Sequence, residues 1–321
     1  MSDNQSGEER LELLVKQLTW EADGVLSLSL THPDGKPLPE WAPGAHIDLT
    51  LKGSLVRQYS LCGDPADESR YRVAVLREQA ALGGSEYVHE GLRPGHRLQV
   101  VGPRNNFRLL PAQRYVFIAG GIGITPILAM VRVAEADGAD WELWYGGRRK
   151  ESMAFRDELA EYGDRVHVVP EDEAGRLDLT TILPGPVDGT LVYCCGPEPL
   201  LAAVEERTAD WPEGALQVER FKKKAVETGP DGDQRVTVEC HRSGRTVDVP
   251  ADCSLLDALE GAGVSVPNSC RDGICGSCET RVLEGTPDHR DSLLSAAEQA
   301  KGESMMVCVS RARTPRLVLE L

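Results

Sequence analysis

Three cysteines, Cys270, Cys275 and Cys278, crowd the stretch CRDGICGSC, and a fourth, Cys308, follows in MMVCVS. A Cys-x4-Cys-x2-Cys run with one distant cysteine is the ligand spacing of a plant-type 2Fe-2S cluster, in which four thiolates hold two irons. Gly273 and Gly276 allow that loop to fold back with its N–H groups facing the sulfurs, where they stabilise the extra electron of the reduced state. A structural zinc site would show two short Cys/His pairs, whereas this chain offers one Cys-x2-Cys and two single cysteines. Disulfides require an oxidising compartment, and the start MSDNQSGEER lacks the basic and apolar segments of a signal peptide, so a reducing cytoplasmic location is expected. Cys62, Cys194, Cys240 and Cys253 have no ligand spacing and read as buried thiols.

Two glycine-bearing turns carry a second chemistry. AGGIGITPI (119–127) follows the apolar run YVFIA, with Thr125 expected to cap a helix that Pro126 begins. The unpaired N–H groups of such a helix start favour a pyrophosphate. CCGPEPLL (194–201) repeats the strand-to-helix arrangement, at the kind of position where open parallel sheets bind ligands. Earlier, RQYSL (57–61) places Arg57 and Tyr59 on one face of a strand with Ser60 beside them, and LGGSEYVHEGL (82–92) offers Gly83, Gly84 and Ser85 ahead of a short helix, a second anion-binding start.

These residues need three kinds of scaffold. Residues 1–112 alternate apolar and polar positions in short runs such as VLSLSL, HIDLTL and YRVAVL, which predicts a six-stranded antiparallel β-barrel. Over 113–222 strands alternate with helices, MAFRDELAEY among them, which predicts a parallel α/β sheet. Residues 223–234 are charged, contain Gly-Pro and Asp-Gly, and read as a mobile linker that lets the last domain swing. In 235–321, RVTVEC and RTVDVP flank a Ser-Gly turn as a hairpin, and Ser254 caps a short helix before the cysteine loop.

Over roughly the last 85 residues, VPNSCRDGICGSCETRVLEG resembles the plant-type ferredoxins, which implies an α+β β-grasp fold. With RQYSL, GGS, GGIGITP and CGPEP preceding it in order, the chain as a whole resembles the phthalate dioxygenase reductase family. That resemblance implies a multidomain flavin, nicotinamide and 2Fe-2S reductase. Arg57, Tyr59 and Ser60 would line the flavin ring and Gly83, Gly84 and Ser85 its phosphate. Gly120, Gly121, Gly123 and Thr125 would meet the nicotinamide nucleotide, Cys195, Gly196 and Pro197 would lie beside its reactive ring, and Cys270, Cys275, Cys278 and Cys308 would be the cluster ligands. It implies FMN, which the GGS site agrees with, although that site does not by itself exclude FAD. It also implies NADH, while Arg148 and Arg149 after the strand WELWYG offer charge suited to the 2′-phosphate of NADPH.

Electrons would then pass from nicotinamide to flavin to cluster and on to a partner oxygenase, either a Rieske-type dioxygenase or demethylase or a haem-thiolate monooxygenase. Hydride transfer requires no acid or base from the protein, so no catalytic residue is nominated. The alternative is a non-enzymatic electron-transfer subunit of a larger complex. A net charge of −16 argues against nucleic acid as a partner, no apolar run is long enough to span a bilayer, and a monomer is expected.

Overall fold

In the computed structural model, residues 9–78, 83–223 and 233–321 are described; most of the expected linker, 224–232, lies outside them. The chain divides into two units, Met1–Glu219 and Arg220–Leu321.

The first unit opens with β1 (Arg10–Ala22), β2 (Val25–Thr31), β3 (Ala45–Thr50), β4 (Val56–Ser60), β5 (Tyr71–Leu76) and, after the three-residue helix α1 (Gly84–Glu86), β6 (Arg97–Asn105). They form one antiparallel sheet in the order β4-β3-β6-β1-β2-β5. Alternation puts Leu28, Leu30, Ile47, Leu49, Val73, Val75 and Val100 on a shared inner face, where they are buried. The sheet curls until its two edges meet: Leu61 bridges Val73, and the Cys62 N–H donates to the Arg72 carbonyl at 2.8 Å. The barrel is thus a curled sheet closed by little more than that contact.

The second half of this unit contains β7 (Arg114–Gly120), α2 (Ile124–Ala136), β8 (Asp140–Gly147), α3 (Arg156–Leu159), β9 (Val166–Pro170), α4 (Glu171–Ala174), α5 (Leu179–Ile182), β10 (Thr190–Cys195), α6 (Glu198–Arg207) and β11 (Leu216–Glu219). The five strands are parallel in the order β11-β10-β7-β8-β9. The central strand β7 is an unbroken apolar run because both its faces are covered. Ile127, Leu128 and Val131 of α2 pack on one side, while Ile182, Leu201 and Val204 pack on the other. MAFRDELAEY is not one helix: α3 has four residues and gives way to 3-10 turns through Arg165, broken at Gly163 (φ 60°, ψ −133°).

The two sheets of this unit are joined by arginines. Arg132 of α2 donates to the Cys62 and Gly63 carbonyls at 2.8 and 2.6 Å and pairs with Glu158. Arg72 of β5 pairs with Glu158 at 3.0 Å and with Glu21 at 2.9 Å. Because these charges are partly buried and share partners, their loss would cost more than that of exposed pairs.

The second unit contains β12 (Val236–Cys240), β13 (Arg245–Val249), α7 (Leu255–Gly261), β14 (Glu279–Glu284), β15 (Pro287–Asp288), α8 (Ala296–Lys301), β16 (Ser304–Met306), β17 (Arg311–Ala312) and β18 (Arg316–Leu319). Its mixed sheet runs β13-β12-β18-β14-β16, with β12 and β18 parallel, and Leu255, Leu256 and Leu259 of α7 pack into the same core. Ser254 caps α7 by accepting from the Asp257 N–H at 3.0 Å. Among the described residues no helix is long and apolar enough to cross a membrane.

Candidate functional site

The strand order of the parallel sheet reverses between β7 and β10, and both glycine turns emerge at the carboxyl ends of those two strands. Such a switch point opens a crevice for a nucleotide. The turns touch so closely that side chains are excluded. A Cβ on Gly123 would stand 2.2 Å from the Cys195 carbonyl oxygen, and one on Gly120 would stand 2.6 Å from Cδ of Pro197. Gly196 meets Gly120 in the same way, at 3.0 Å from its Cα. The two turns are therefore packed backbone against backbone, a fit that only glycine allows.

The helix start differs from the sequence expectation. Gly123, not Thr125, occupies the cap position, and α2 begins at Ile124. Gly121, in the left-handed region at φ 54°, turns the chain into a 3-10 segment two residues early. Pro126 then falls inside the first turn, where its missing N–H costs nothing. Thr125 is buried and its hydroxyl donates to the Ile122 carbonyl at 3.0 Å, so it braces the turn rather than capping the helix.

Facing the crevice from the curled sheet is Ser60, buried at the end of β4. It hydrogen-bonds the carboxyl group of Glu219, the last residue of β11, and the Cys195 Sγ lies 3.9 Å from Glu219 Oε2. Parallel pairing of β10 with β11 sets Cys195 directly beside Glu219. Desolvation pushes the Glu219 carboxyl up to about 8, against the opposing bonds from Ser60 and Cys195. Desolvation and the neighbouring Glu219 raise the Cys195 thiol well above its ordinary value, so it stays protonated. Sequence reasoning missed Glu219; its only trace is an acid ending the strand LQVE.

Arg57 and the GGS turn also come together. A Cβ on Gly84 would lie 3.0 Å from Cγ of Arg57, so the arginine stem runs across that glycine. Gly83 is left-handed at φ 81°, and the buried Ser85 accepts from the Glu78 N–H at 3.2 Å. Tyr59, two residues along β4 from Arg57, has its hydroxyl pushed up to about 12 by desolvation, with the Arg57 charge opposing. Arg148 and Arg149 follow β8, whose Gly146 pairs with Gly120. Both are exposed just past the carboxyl end of β8, with Arg149 4.0 Å from Asp23.

In the second unit the four cysteines converge from one loop and the turn after β16, so Cys308 sits just past a strand rather than within it. Thiol contacts join Cys270 to Cys275, Cys270 to Cys308, and Cys278 to Cys308. Hydrogen bonds from Cys275 and Cys308 and from the Ile274 and Asp272 amides hold the Cys270 thiol far below its ordinary value, and the Asp272 N–H reaches its sulfur at 3.3 Å. Gly273 and Gly276 are left-handed, at φ 70° and 78°. A pairwise set of thiols with amides aimed at sulfur is the donor chemistry of a two-iron cluster.

The 2Fe-2S iron-sulfur cluster binding domain model matches residues 238–313, and the oxidoreductase NAD-binding domain model matches 117–206. The chain is 43% identical to the phenoxybenzoate dioxygenase subunit beta of Ectopseudomonas oleovorans, over 97% of each chain. Its fold matches the solved phthalate dioxygenase reductase with a TM-score of 0.72 and 36% identity, over 97% of this chain and 98% of that one. The chain belongs to the phthalate dioxygenase reductase family. An intact type IV self-sufficient cytochrome P450 monooxygenase matches 97% of this chain at a TM-score of 0.91 and 46% identity. This chain spans only 41% of that longer protein. In this member of the phthalate dioxygenase reductase family, the crevice joins both halves of the first unit and the cysteine loop lies in the second.

Proposed function

We propose that this chain is the reductase component of an oxygenase system, oxidising NADH and delivering electrons one at a time through FMN and a 2Fe-2S cluster. The observation that carries the reading is the meeting of Ser60 with Glu219 and Cys195 where the curled sheet faces the nucleotide crevice. When bound, the flavin supplies acceptance of a hydride as an electron pair, and the cluster supplies single-electron transfer.

The chain's own residues bind and orient. Gly120, Gly121 and Gly123 present backbone to the nucleotide phosphates, braced by Thr125, while Cys195, Gly196 and Pro197 form the wall against which the nicotinamide rests. Ser60 faces that wall from the flavin side, with Arg57 and Tyr59 along the same strand. Gly83, Gly84 and Ser85 receive the flavin phosphate beside the Arg57 guanidinium, which neutralises its charge. Cys195 and Glu219 hold protons in a poorly solvated position and so add no negative charge where hydride must arrive. Cys270, Cys275, Cys278 and Cys308 hold the cluster.

The partner is an oxygenase of Rieske or haem-thiolate type, a reading supported by relatives that serve a dioxygenase and by one fused in a P450. All the sites lie in one chain, which supports a monomeric reductase. The test is an anaerobic visible spectrum before and after stoichiometric NADH and then NADPH. Bleaching of a flavin band together with a broad iron-sulfur absorption is expected with NADH. A flavin that bleaches with no cluster absorption at any stage would overturn the iron-sulfur half of the reading.

A further inference from the structure

Directly behind the cysteine loop lies a buried polar pair outside the ligand set. The Asp291 side chain is fully enclosed and that of His289 is 7% exposed. Asp291 Oδ2 accepts from the Leu293 and Leu294 N–H groups at 3.1 and 2.8 Å, which closes a tight turn over 291–294. Its Oδ1 has no hydrogen-bond partner among the described residues and faces His289 Nδ1 at 3.7 Å. Both ring nitrogens of His289 likewise lack a hydrogen-bond partner there.

That turn grips the cysteine loop at one point. The Ser292 N–H donates to the Gly273 carbonyl at 3.0 Å, and a Cβ on Gly273 would stand 3.1 Å from the Asp291 Cα. On its other side the same Cβ would stand 2.5 Å from Val309, the neighbour of Cys308. Gly273 is therefore clamped between the Asp291 turn and the segment bearing the fourth thiol. Nearby cations are engaged elsewhere. Arg290 pairs with Asp233 and, at 2.8 Å, with Asp288, while Arg311 donates to the Cys253, Gln234 and Pro250 carbonyls. Arg313 is exposed and lies 3.5 Å from Asp288. Among the described residues, the Asp291 carboxyl group meets two amides at Oδ2 and the His289 ring across 3.7 Å at Oδ1.

We propose that Asp291, with His289 behind it, is a positioning residue that fixes the cysteine loop at Gly273 and holds the reduction potential of the centre low. A fixed carboxylate in a poorly solvated interior opposes the arrival of an electron nearby, because the interaction is weakly screened. The carboxylate itself gains and loses nothing in the step. The inference rests on the cluster reading above.

The experiment is anaerobic redox titration with electron paramagnetic resonance of the reduced holoprotein, for wild type, Asp291→Asn and His289→Gln. Asparagine can still accept from both amides but removes the charge. At a fixed solution potential its reduced-to-oxidised ratio rises about tenfold, equivalent to about 59 mV for one electron, with an unchanged resonance line shape. His289→Gln removes the ring that faces Oδ1 and shifts the ratio at least threefold. Asp291→Ala, which also drops both amide bonds, loses iron to a chelator at least fivefold faster than Asp291→Asn; equal rates would overturn the positioning role. Ratios within twofold of wild type in both Asp291→Asn and His289→Gln, with the cluster present, would overturn the electrostatic role. A wild-type protein without any cluster signal would overturn the cluster reading and this inference with it.

Discussion

Ser60 and Glu219 share a hydrogen bond across the joint between the curled antiparallel sheet and the parallel sheet. They are far apart in the chain, and Cys195 on the neighbouring strand makes a third member of the contact. The carboxyl group is held where water solvates it poorly, so its neutral form is favoured and its ordinary value of 4.5 rises to about 8. In the proposed reading a neutral acid at this position suits hydride transfer, since a fixed negative charge beside the flavin edge would repel the incoming electron pair.

The same shift makes stability depend on pH. Folded protein keeps the Glu219 proton up to about pH 8, whereas the unfolded chain releases it near 4.5. The stabilising contribution is therefore full below pH 4.5 and is lost as pH rises through 8. Glu219→Gln removes this dependence. The variant's unfolding free energy from urea melts, taken relative to wild type, should gain steadily between pH 5 and 8 and level off above, by on the order of 3 kcal/mol once partial solvent access is allowed for. A constant difference across that range would mean that the carboxyl titrates normally.

Gly123→Ala tests the packing of the two turns. The added methyl must displace the Cys195 carbonyl, which lies 2.2 Å from its position, and backbone cannot yield as a side-chain tip can. Bound flavin should remain near wild-type occupancy, because the residues proposed to hold it, Arg57, Tyr59 and the turn over 83–85, belong to the other half of the unit. The KM for NADH should rise more than tenfold. Stopped-flow reduction of the flavin over a range of NADH concentrations separates weakened binding from slowed transfer.

Cys278→Ser tests the cluster set. Cys278 is buried and contacts Cys308, so losing its sulfur leaves one iron without a complete thiolate pair. The broad visible absorption and the reduced-state paramagnetic signal should disappear. NADH oxidation by ferricyanide, which can draw directly on the flavin, should persist within about threefold. Cytochrome c reduction that depends on the cluster should fall at least tenfold, and loss of both activities together would point to general misfolding.

What could be read from the sequence follows from how local each feature is. Cys270, Cys275 and Cys278 sit on one loop, so their spacing alone carries the ligand chemistry, and Gly273 and Gly276, read as letting that loop fold back, take left-handed angles. The unbroken run of β7 and the alternation of β2 and β3 were equally legible, because burial imposes its period on the residues themselves. The contact of Ser60 with Glu219 was not. It depends on the register of β10 with β11 and on how the curled sheet docks, neither of which leaves a local pattern. The start of α2 was misread by two residues, since Thr125 and Pro126 form a good local signal that the left-handed Gly121 overrides. Asp291 was invisible for the same reason as Glu219: its role depends on a loop packed against it from elsewhere in the chain.

Under the proposed reading, nucleotide choice should depend on the segment that follows β8. Arg148 is exposed and makes no ion pair among the described residues, whereas Arg149 lies 4.0 Å from Asp23 and Lys150 lies 3.8 Å from Glu173. Strand pairing of Gly147 with Pro170 brings Glu171, Asp172 and Glu173 of α4 alongside these cations. The acids oppose a 2′-phosphate dianion but not a free hydroxyl, so kcat/KM should favour NADH over NADPH by at least tenfold. Arg148, with no ion pair among the described residues, should account for most of the remaining NADPH activity. Arg148→Ala is expected to lower kcat/KM for NADPH a further tenfold while leaving NADH within threefold, and the NADPH deficit should shrink as salt screens the exposed charges. Equal losses with both nucleotides would place Arg148 on the pyrophosphate they share, and the acids of α4 would then be the residues to change in seeking the source of discrimination.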